Sequence, residues 1–159
     1  MTCRDRLERV FTQKEVPYRV ATHAPAYTAQ DVATVEHISG YDVAKVVLAV
    51  ADERLVMLVL PAPYRVDLEL LRAGLRASTA RLAEEREFAD VFDDCETGAM
   101  PPFGNLYGLE VYVDPALSAH REMTFNAGSH RETLTIAYAD FVRLARPRML
   151  ELARSPRAA

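Results

Sequence analysis

Lys45 has a side chain that could bind substrate, and its surroundings are unusual for a charged residue. In the apolar stretch VAKVVLAV (43–50), the alternation of a β-strand places Lys45 on the same face as Val47. Because an unpaired buried charge is costly, the ammonium group must reach solvent, find a partner or face a cavity. A lysine at a strand end can bind an anion or an oxygen-rich substrate. The alternative is structural, with Lys45 reaching solvent or pairing with Asp42.

His130 is a second candidate, in the stretch NAGSHRETL (126–134). Imidazole exchanges a proton near neutral pH, so His130 could orient or activate a reacting group. A lone histidine at the start of a strand is also commonly a surface or hydrogen-bonded residue, and both interpretations stay open. Ser129 cannot be its nucleophile, because neighbours in an extended chain point to opposite faces.

The stretch DDCETGAMPPFGN (93–105) predicts a loop with a defined shape. Pro101 and Pro102 fix their own backbone angles, whereas Gly98 and Gly104 permit angles closed to other residues. Such a loop can present backbone N–H groups to a ligand. Proline pairs also end helices for structural reasons, so the loop by itself does not establish a site.

Composition predicts one globular domain spanning residues 1–159, because the chain has 159 residues of which 50% are hydrophobic. The net charge of −4 confines any nucleic-acid contact to a local patch. Cys3 and Cys95 are far apart and lack metal-site spacing, so we expect no disulfide framework, metal or cofactor, and a reduced cytoplasmic setting. The charged N-terminus and the lack of a long apolar run indicate no signal peptide and no membrane span.

The order of predicted elements is that of an α+β fold with a mixed sheet. Capping by Thr2 and by Thr28 begins two helices, and we expect Gly40 to end the second. The clearest element is a hairpin of central strands, VAKVVLAV and LVMLVL, around the turn at 52–54. Further strands are expected at 18–23, 106–114, 121–127 and 132–138, and further helices at 67–74, at 84–92 and from about 139. The tail at 148–159 reads as frayed.

Five stretches together resemble the YbaK family, the superfamily that includes the prolyl-tRNA synthetase editing domain and its free-standing relatives. In chain order they are HAPAYTAQDVA (23–33), VAKVVLAV (43–50), TGAMPPFG (97–104), VYVDPAL (111–117) and FNAGSHRETL (125–134). The similarity extends from about His23 to Val142. It implies a mixed, mainly antiparallel sheet or partly open barrel flanked by helices. It also implies an enzyme that hydrolyses mischarged aminoacyl-tRNA in trans, with members that remove Ala, Cys, Ser or Thr.

The resemblance also implies roles for individual residues. Lys45 would contact the ribose or phosphate of the terminal adenosine, and His130 would orient the ester and the attacking water. The backbone from Gly98 to Pro102 would surround the amino acid. The full set expected to bind substrate is Tyr27, Thr28, Gly98, Ala99, Met100, Pro101, Pro102, Phe103, Gly128 and Ser129. The expected partner is the acceptor end of aminoacyl-tRNA, with room for a synthetase partner and no role for DNA or membranes.

Three other functions remain open on the sequence. A non-catalytic tRNA-binding or regulatory module would keep Lys45 as a phosphate contact and lose hydrolysis. A cysteine hydrolase would use Cys95 with His130, although no orienting acid or amide is identifiable. A structural or protein-interaction domain would use none of these side chains.

Overall fold

Two sheets and a short strand pair organise the computed structural model, which describes residues 1–156. The larger sheet has the order β5-β2-β3-β6-β9, the smaller β1-β8-β7, and β4 pairs with β10. Most pairs are antiparallel, but β3–β6 and β6–β9 are parallel. The strands are β1 (Arg19–Thr22), β2 (Ala44–Ala51), β3 (Arg54–Pro61), β4 (Arg65–Val66), β5 (Ala80–Leu82), β6 (Val111–Val113), β7 (Glu122–Asn126), β8 (Glu132–Ala137), β9 (Arg148–Met149) and β10 (Ala153–Arg154).

Five α-helices accompany the sheets: α1 (Cys3–Gln13), α2 (Ala29–Glu36), α3 (Leu68–Leu75), α4 (Glu85–Phe88) and α5 (Tyr138–Ala145). The predicted caps are confirmed. The Thr2 hydroxyl accepts a hydrogen bond from the Asp5 amide, and the Thr28 hydroxyl accepts one from the Asp31 amide. Each bond satisfies an amide at a helix start that has no partner within the helix. No helix within residues 1–156 is long and apolar enough to cross a membrane.

The β2–β3 hairpin is confirmed as the centre of the larger sheet. Asp52 and Glu53 form its turn with φ of 46° and 68°, the left-handed angles that match the twist of a two-residue hairpin. Most of β3 is buried on both faces, as an interior strand requires. In this register Lys45 lies opposite Leu60.

The main core lies between the two sheets and is closed by α1 and α5. At its centre the Phe103 ring lies 5.7 Å from the Phe11 ring, 5.6 Å from Phe125 and 5.8 Å from Phe141, measured between centroids. Edge-to-face pairs of this kind stabilise beyond the area that they bury. The loop that carries Phe103 is therefore anchored in the core by its own aromatic residue.

The two sheets meet where β2 begins. A single parallel bridge joins Val43 to Thr124 of β7, and within residues 1–156 the strands do not close into a barrel. The result is the expected single α+β domain with mixed sheets. The junction places the start of β2 beside the β7–β8 hairpin, which leads to His130.

Three local predictions were wrong. Helix α2 ends at Glu36, where His37 adopts left-handed angles, so Gly40 begins a short 3₁₀ turn instead. The helix expected at 84–92 continues only to Phe88, after which the chain forms turns. The strand expected at 106–114 is limited to β6, because residues Gly104–Tyr107 form a 3₁₀ helix.

The tail expected to fray is ordered over residues 148–156, where β9 and β10 both pair with other strands. Leu152 is fully buried. The Asp114 carboxylate explains the order, since it accepts hydrogen bonds from the amides of Ala116 at 2.9 Å and of Leu152 and Ala153 at 3.1 Å each. The remaining part of that prediction, residues 157–159, lies outside the described residues.

Candidate functional site

The shaped loop is held against the turn between β7 and β8 by backbone hydrogen bonds. The Glu96 amide donates to the Gly128 carbonyl at 2.8 Å, and the Gly128 amide donates to the Ala99 carbonyl at 3.0 Å. Gly128 has a φ of +93°, and a Cβ there would lie 2.5 Å from Cys3 Cβ. Only glycine allows α1 to approach the turn this closely.

His130 is the side chain that this arrangement fixes most firmly. Its amide donates to Glu96 Oε2 at 3.0 Å, and its Nε2 lies 2.9 Å from the Thr97 carbonyl oxygen. Since a carbonyl only accepts, Nε2 carries the proton, and Nδ1 of the neutral ring is left as an acceptor. Nδ1 is buried and has no hydrogen-bond partner within residues 1–156. His130 therefore offers an acceptor in a fixed orientation.

Gly98 and Tyr27 both lie close to the His130 ring. Gly98 has a φ of +88°, and a Cβ at this position would lie 3.4 Å from Cε1 of His130. The Tyr27 ring centroid is 4.9 Å from that of His130, and Tyr27 is 69% exposed. The three residues form a small surface with an aromatic ring facing solvent and a bare backbone facing the imidazole.

The rest of the loop points inward. Ala99 and Met100 are buried, and the Met100 sulfur accepts a hydrogen bond from the Gly98 amide at 3.2 Å. Pro101 and Pro102 are buried as well. The structure places the Phe103 ring in the core, where it is 1% exposed, instead of on a surface open to substrate. Within residues 97–103, the part of the loop that faces the His130 ring is thus limited to Thr97 and Gly98.

Two other predicted binding residues have structural contacts of their own. Thr28 caps α2, which positions the segment carrying Tyr27. The Ser129 hydroxyl donates to Glu132 Oε2 at 3.1 Å and accepts from the Arg131 amide at 3.3 Å. Ser129 lines an open cleft of about 560 Å³ with His23 and Arg131, beside the turn that holds His130.

Lys45 is half-buried near the start of β2, and burial is the main cause of a lowered pKa, with the positive charge of Arg65 as the second cause. It forms no ion pair with another residue of the described chain, and the alternative pairing with Asp42 does not occur. Asp42 instead lies 2.7 Å from His120 Nδ1. The contacts that unite His130, Gly98 and Tyr27 do not include Lys45, which lies at the sheet junction.

The cysteine-hydrolase alternative finds no support in the geometry. The Cys95 sulfur lies near Asp94 and near the Tyr107 hydroxyl, whereas His130 contacts the Thr97 carbonyl. A hydrogen bond with Cys3 is the main cause that raises the pKa of the Cys95 thiol, and burial is the second cause. A thiol held protonated is a poor nucleophile. Among residues 1–156 no three His, Cys, Asp or Glu side chains are grouped so as to hold a metal ion.

Sequence reasoning missed Glu96 and Thr97 as residues that hold His130, Arg65 as the charge near Lys45, and Asn126, whose Oδ1 is buried without a partner in residues 1–156. The Thr97 contact is made by a backbone carbonyl, which no residue type reveals. Asn126 had a usable signal, because it is an amide on a strand whose other face is apolar.

Comparison with known proteins places the chain in a family. Residues 23–144 match the family described as the aminoacyl-tRNA editing domain. The chain is 29% identical over 158 residues to the multifunctional Ser/Thr-tRNA deacylase ProXp-y of Escherichia coli (strain K12), covering 94% of this chain and 92% of that protein.

Two solved structures share the fold at low sequence identity. One, provisionally assigned as a trans-editing enzyme for prolyl tRNA synthetase, has a TM-score of 0.82 at 16% identity and covers 98% of this chain and 99% of its own. The other, the hypothetical protein APE2540, has a TM-score of 0.83 at 15% identity and covers 93% and 99%. The family match over residues 23–144 spans well over half of the 159-residue chain, so the chain belongs to the aminoacyl-tRNA editing domain family.

Proposed function

We propose that this protein deacylates, in trans, mischarged aminoacyl-tRNA that carries a small amino acid of the Ala, Cys, Ser or Thr class. The observation that carries the proposal is the buried, unpartnered Nδ1 of His130 beside Gly98, in a chain of the editing-domain family. An acceptor with its proton fixed on the opposite ring nitrogen can align a water or hydroxyl.

The reaction requires little from the protein beyond positioning. Water attacks the ester carbonyl, the bond between that carbon and the ribose oxygen breaks, and the ribose oxygen takes a proton. The neighbouring ribose hydroxyl can assist, because it lies next to the ester in every aminoacyl-tRNA. His130 Nδ1 accepts a hydrogen bond from the attacking water, and fixed placement of the reacting groups supplies much of the rate.

Lys45 contributes charge to the same reaction. Its ammonium lacks a carboxylate partner in the described chain, so it is available for a ribose or phosphate oxygen of the terminal adenosine. A positive charge already in place also stabilises the negative charge that develops on the ester. Binding an anion would offset the cost of burying the ammonium.

Selection of a small amino acid fits the bare backbone at Gly98. Synthetases discriminate poorly between side chains that differ by one methylene, which is worth about 1–3 kcal/mol, and this shortfall creates the need for editing. The loop is tied to the Gly128 turn and anchored by Phe103, so the space beside His130 is fixed. Tyr27 presents an exposed ring on which the terminal adenine can stack.

The partner is the acceptor end of aminoacyl-tRNA, and we propose a cytoplasmic setting without DNA or membrane contacts. The net charge of −4 favours a small contact area over a broad basic surface. A synthetase would supply the recognition of the tRNA body. The name of the structural neighbour associates the fold with prolyl tRNA synthetase.

Single-turnover deacylation of tRNAs charged with Ala, Cys, Ser, Thr and Pro tests the proposal. We expect rapid hydrolysis of at least one small aminoacyl ester and slow hydrolysis of larger ones. Tight tRNA binding without hydrolysis of any ester would instead establish the non-catalytic module.

A further inference from the structure

Asn126 has a polar atom that the fold leaves without a partner. It is the last residue of β7, and its Oδ1 is buried with no hydrogen-bond donor among residues 1–156. His130 Nδ1, four residues later on the same hairpin, is in the same condition. Buried acceptors are nearly always satisfied, so two unsatisfied ones on one hairpin call for a ligand that donates.

The threonines on this face of the small sheet all have hydrogen-bond partners. The hydroxyls of Thr124 and Thr135 lie 2.7 Å apart, and the Thr133 hydroxyl donates to Glu36 Oε2 at 2.7 Å. Asn126 lies opposite Thr133 in the strand register and is the exception. The side-chain amide of Asn126 is therefore outside the hydrogen-bond network on this face of the sheet.

The strand register at the sheet junction relates Asn126 to Lys45. Val43 and Thr124 form a parallel bridge, and residues two positions apart on a strand share a face. Lys45 and Asn126 are each two positions beyond that bridge, so each shares a face with a bridged residue, on the same side of the junction. One strand thus carries a cation without a carboxylate partner and the other an acceptor without a donor among residues 1–156.

We infer that Asn126 Oδ1 accepts a hydrogen bond from an uncharged hydroxyl of the aminoacyl ester, which makes Asn126 a binding residue of the site. The inference rests on the proposed function. A substrate ammonium is disfavoured as the donor, because the charges of Lys45 and Arg65 would repel it. The hydroxyl comes from the side chain of Ser or Thr, or from the terminal ribose.

The test measures binding of two adenosine analogues in which serine or alanine is joined to the 3′ position by a stable amide. Binding does not require hydrolysis, so it separates failure of this inference from failure of the proposed function, which is judged by turnover of the parent protein. Asn126→Leu keeps the size of the side chain and removes the acceptor. We expect it to weaken seryl analogue binding about tenfold, the scale of one lost hydrogen bond.

The two analogues distinguish the two possible sources of the hydroxyl, the amino acid side chain and the ribose. A tenfold loss confined to the seryl analogue assigns the side-chain hydroxyl, and an equal loss for both assigns the ribose hydroxyl. Asn126→Thr retains an acceptor on a strand-forming residue and should recover part of the affinity in either case. Affinities of folded Asn126→Leu within twofold of the parent for both analogues overturn the inference.

Thr135→Val is the matched control, because Thr135 is on the same face but already paired with Thr124. It should lower the melting temperature and leave analogue binding unchanged. If Asn126→Leu does not fold, the same comparison is made with Asn126→Ala, whose side chain has no acceptor. Unchanged binding by that folded variant equally overturns the inference.

Discussion

The two sides of the candidate site differ in how far their polar and charged groups are paired within the protein. On the hairpin side, four hydrogen bonds tie Glu96, Thr97 and Ala99 to Gly128 and His130. On the sheet-junction side, Lys45 is half-buried beside another cation and has no carboxylate partner in the described chain.

This difference indicates a division of labour. We propose that the hairpin side, which these hydrogen bonds hold in place, sets the size and orientation of the bound substrate. The junction side would then supply a half-buried charge that an anionic or oxygen-rich ligand stabilises. Substitutions on the two sides should therefore have distinguishable effects on rate, affinity and stability.

The largest effect is expected from Lys45→Ala. Removal of a positioned charge typically costs about 10²–10³ in rate, and the fold should survive because no internal partner is lost. Single-turnover deacylation and a melting curve measure the two properties. Arg9→Ala, which removes an exposed charge on α1, is the control. Near-normal turnover by folded Lys45→Ala would contradict the role of Lys45.

Gly98→Val should reduce hydrolysis of every aminoacyl-tRNA by about 10², comparable to the loss of one positioned group. A branched side chain in this position meets the His130 ring and must also adopt an unfavourable φ. Binding to uncharged tRNA, which depends on phosphate contacts, should be nearly unchanged and remain salt-dependent.

Gly108 provides a matched control for the Gly98 prediction. Its φ is +77°, but a Cβ there would meet no atom within 4 Å. Gly108→Val thus carries the backbone strain without the contact to His130, and it should lower the melting temperature while sparing turnover. A Gly98→Val protein that is destabilised but equally active would place the substrate elsewhere.

His130→Ala should cause a smaller defect, about tenfold in the rate of deacylation, because water can replace an orienting group more easily than a positioned charge. Loss of the ring also removes the hydrogen bond to the Thr97 carbonyl. His130→Asn, which can still donate to that carbonyl, separates the two contributions. Full activity combined with a lower melting temperature in His130→Ala would reduce His130 to a structural role.

The smallest effect concerns stability. Lys45→Met should raise the melting temperature by about 2 °C near pH 7, since it removes a buried charge and keeps the stem. Because folding lowers the pKa of Lys45, the unfolded chain binds more protons between the lowered value and 10.5. The parent protein therefore gains stability as pH rises through that window, and the difference between its melting temperature and that of Lys45→Met should shrink. Melting curves between pH 7 and pH 10 measure this, and a constant difference would contradict it.

The sequence predicted best those features that depend on neighbouring residues. The strand alternation around Lys45 and the charged turn predicted at 52–54 are local, and the hairpin prediction followed from them. The inward direction of Phe103 was not predictable, because it depends on Phe11, Phe125 and Phe141 from three distant segments. A motif that predicts a loop does not reveal which of the loop's side chains will be buried in the core.

Contacts through the backbone explain most of what was missed at the site. The orientation of His130 depends on the carbonyl of Thr97 and the carboxylate of Glu96, 33 and 34 residues earlier in the chain. The helix expected at 84–92 shows the reverse error, in which a local helical preference was overridden after Phe88. Local propensity is a weak guide where turns are set by distant partners.

The Asp114 carboxylate has a consequence for the way the protein opens. One side chain holds three amides, those of Ala116, Leu152 and Ala153, from two segments far apart in the chain. Release of the carboxylate would free all three amides together, so we expect their exchange with deuterated solvent to be correlated. Hydrogen exchange should show them as a single cooperative unit that opens independently of the β7–β8 hairpin.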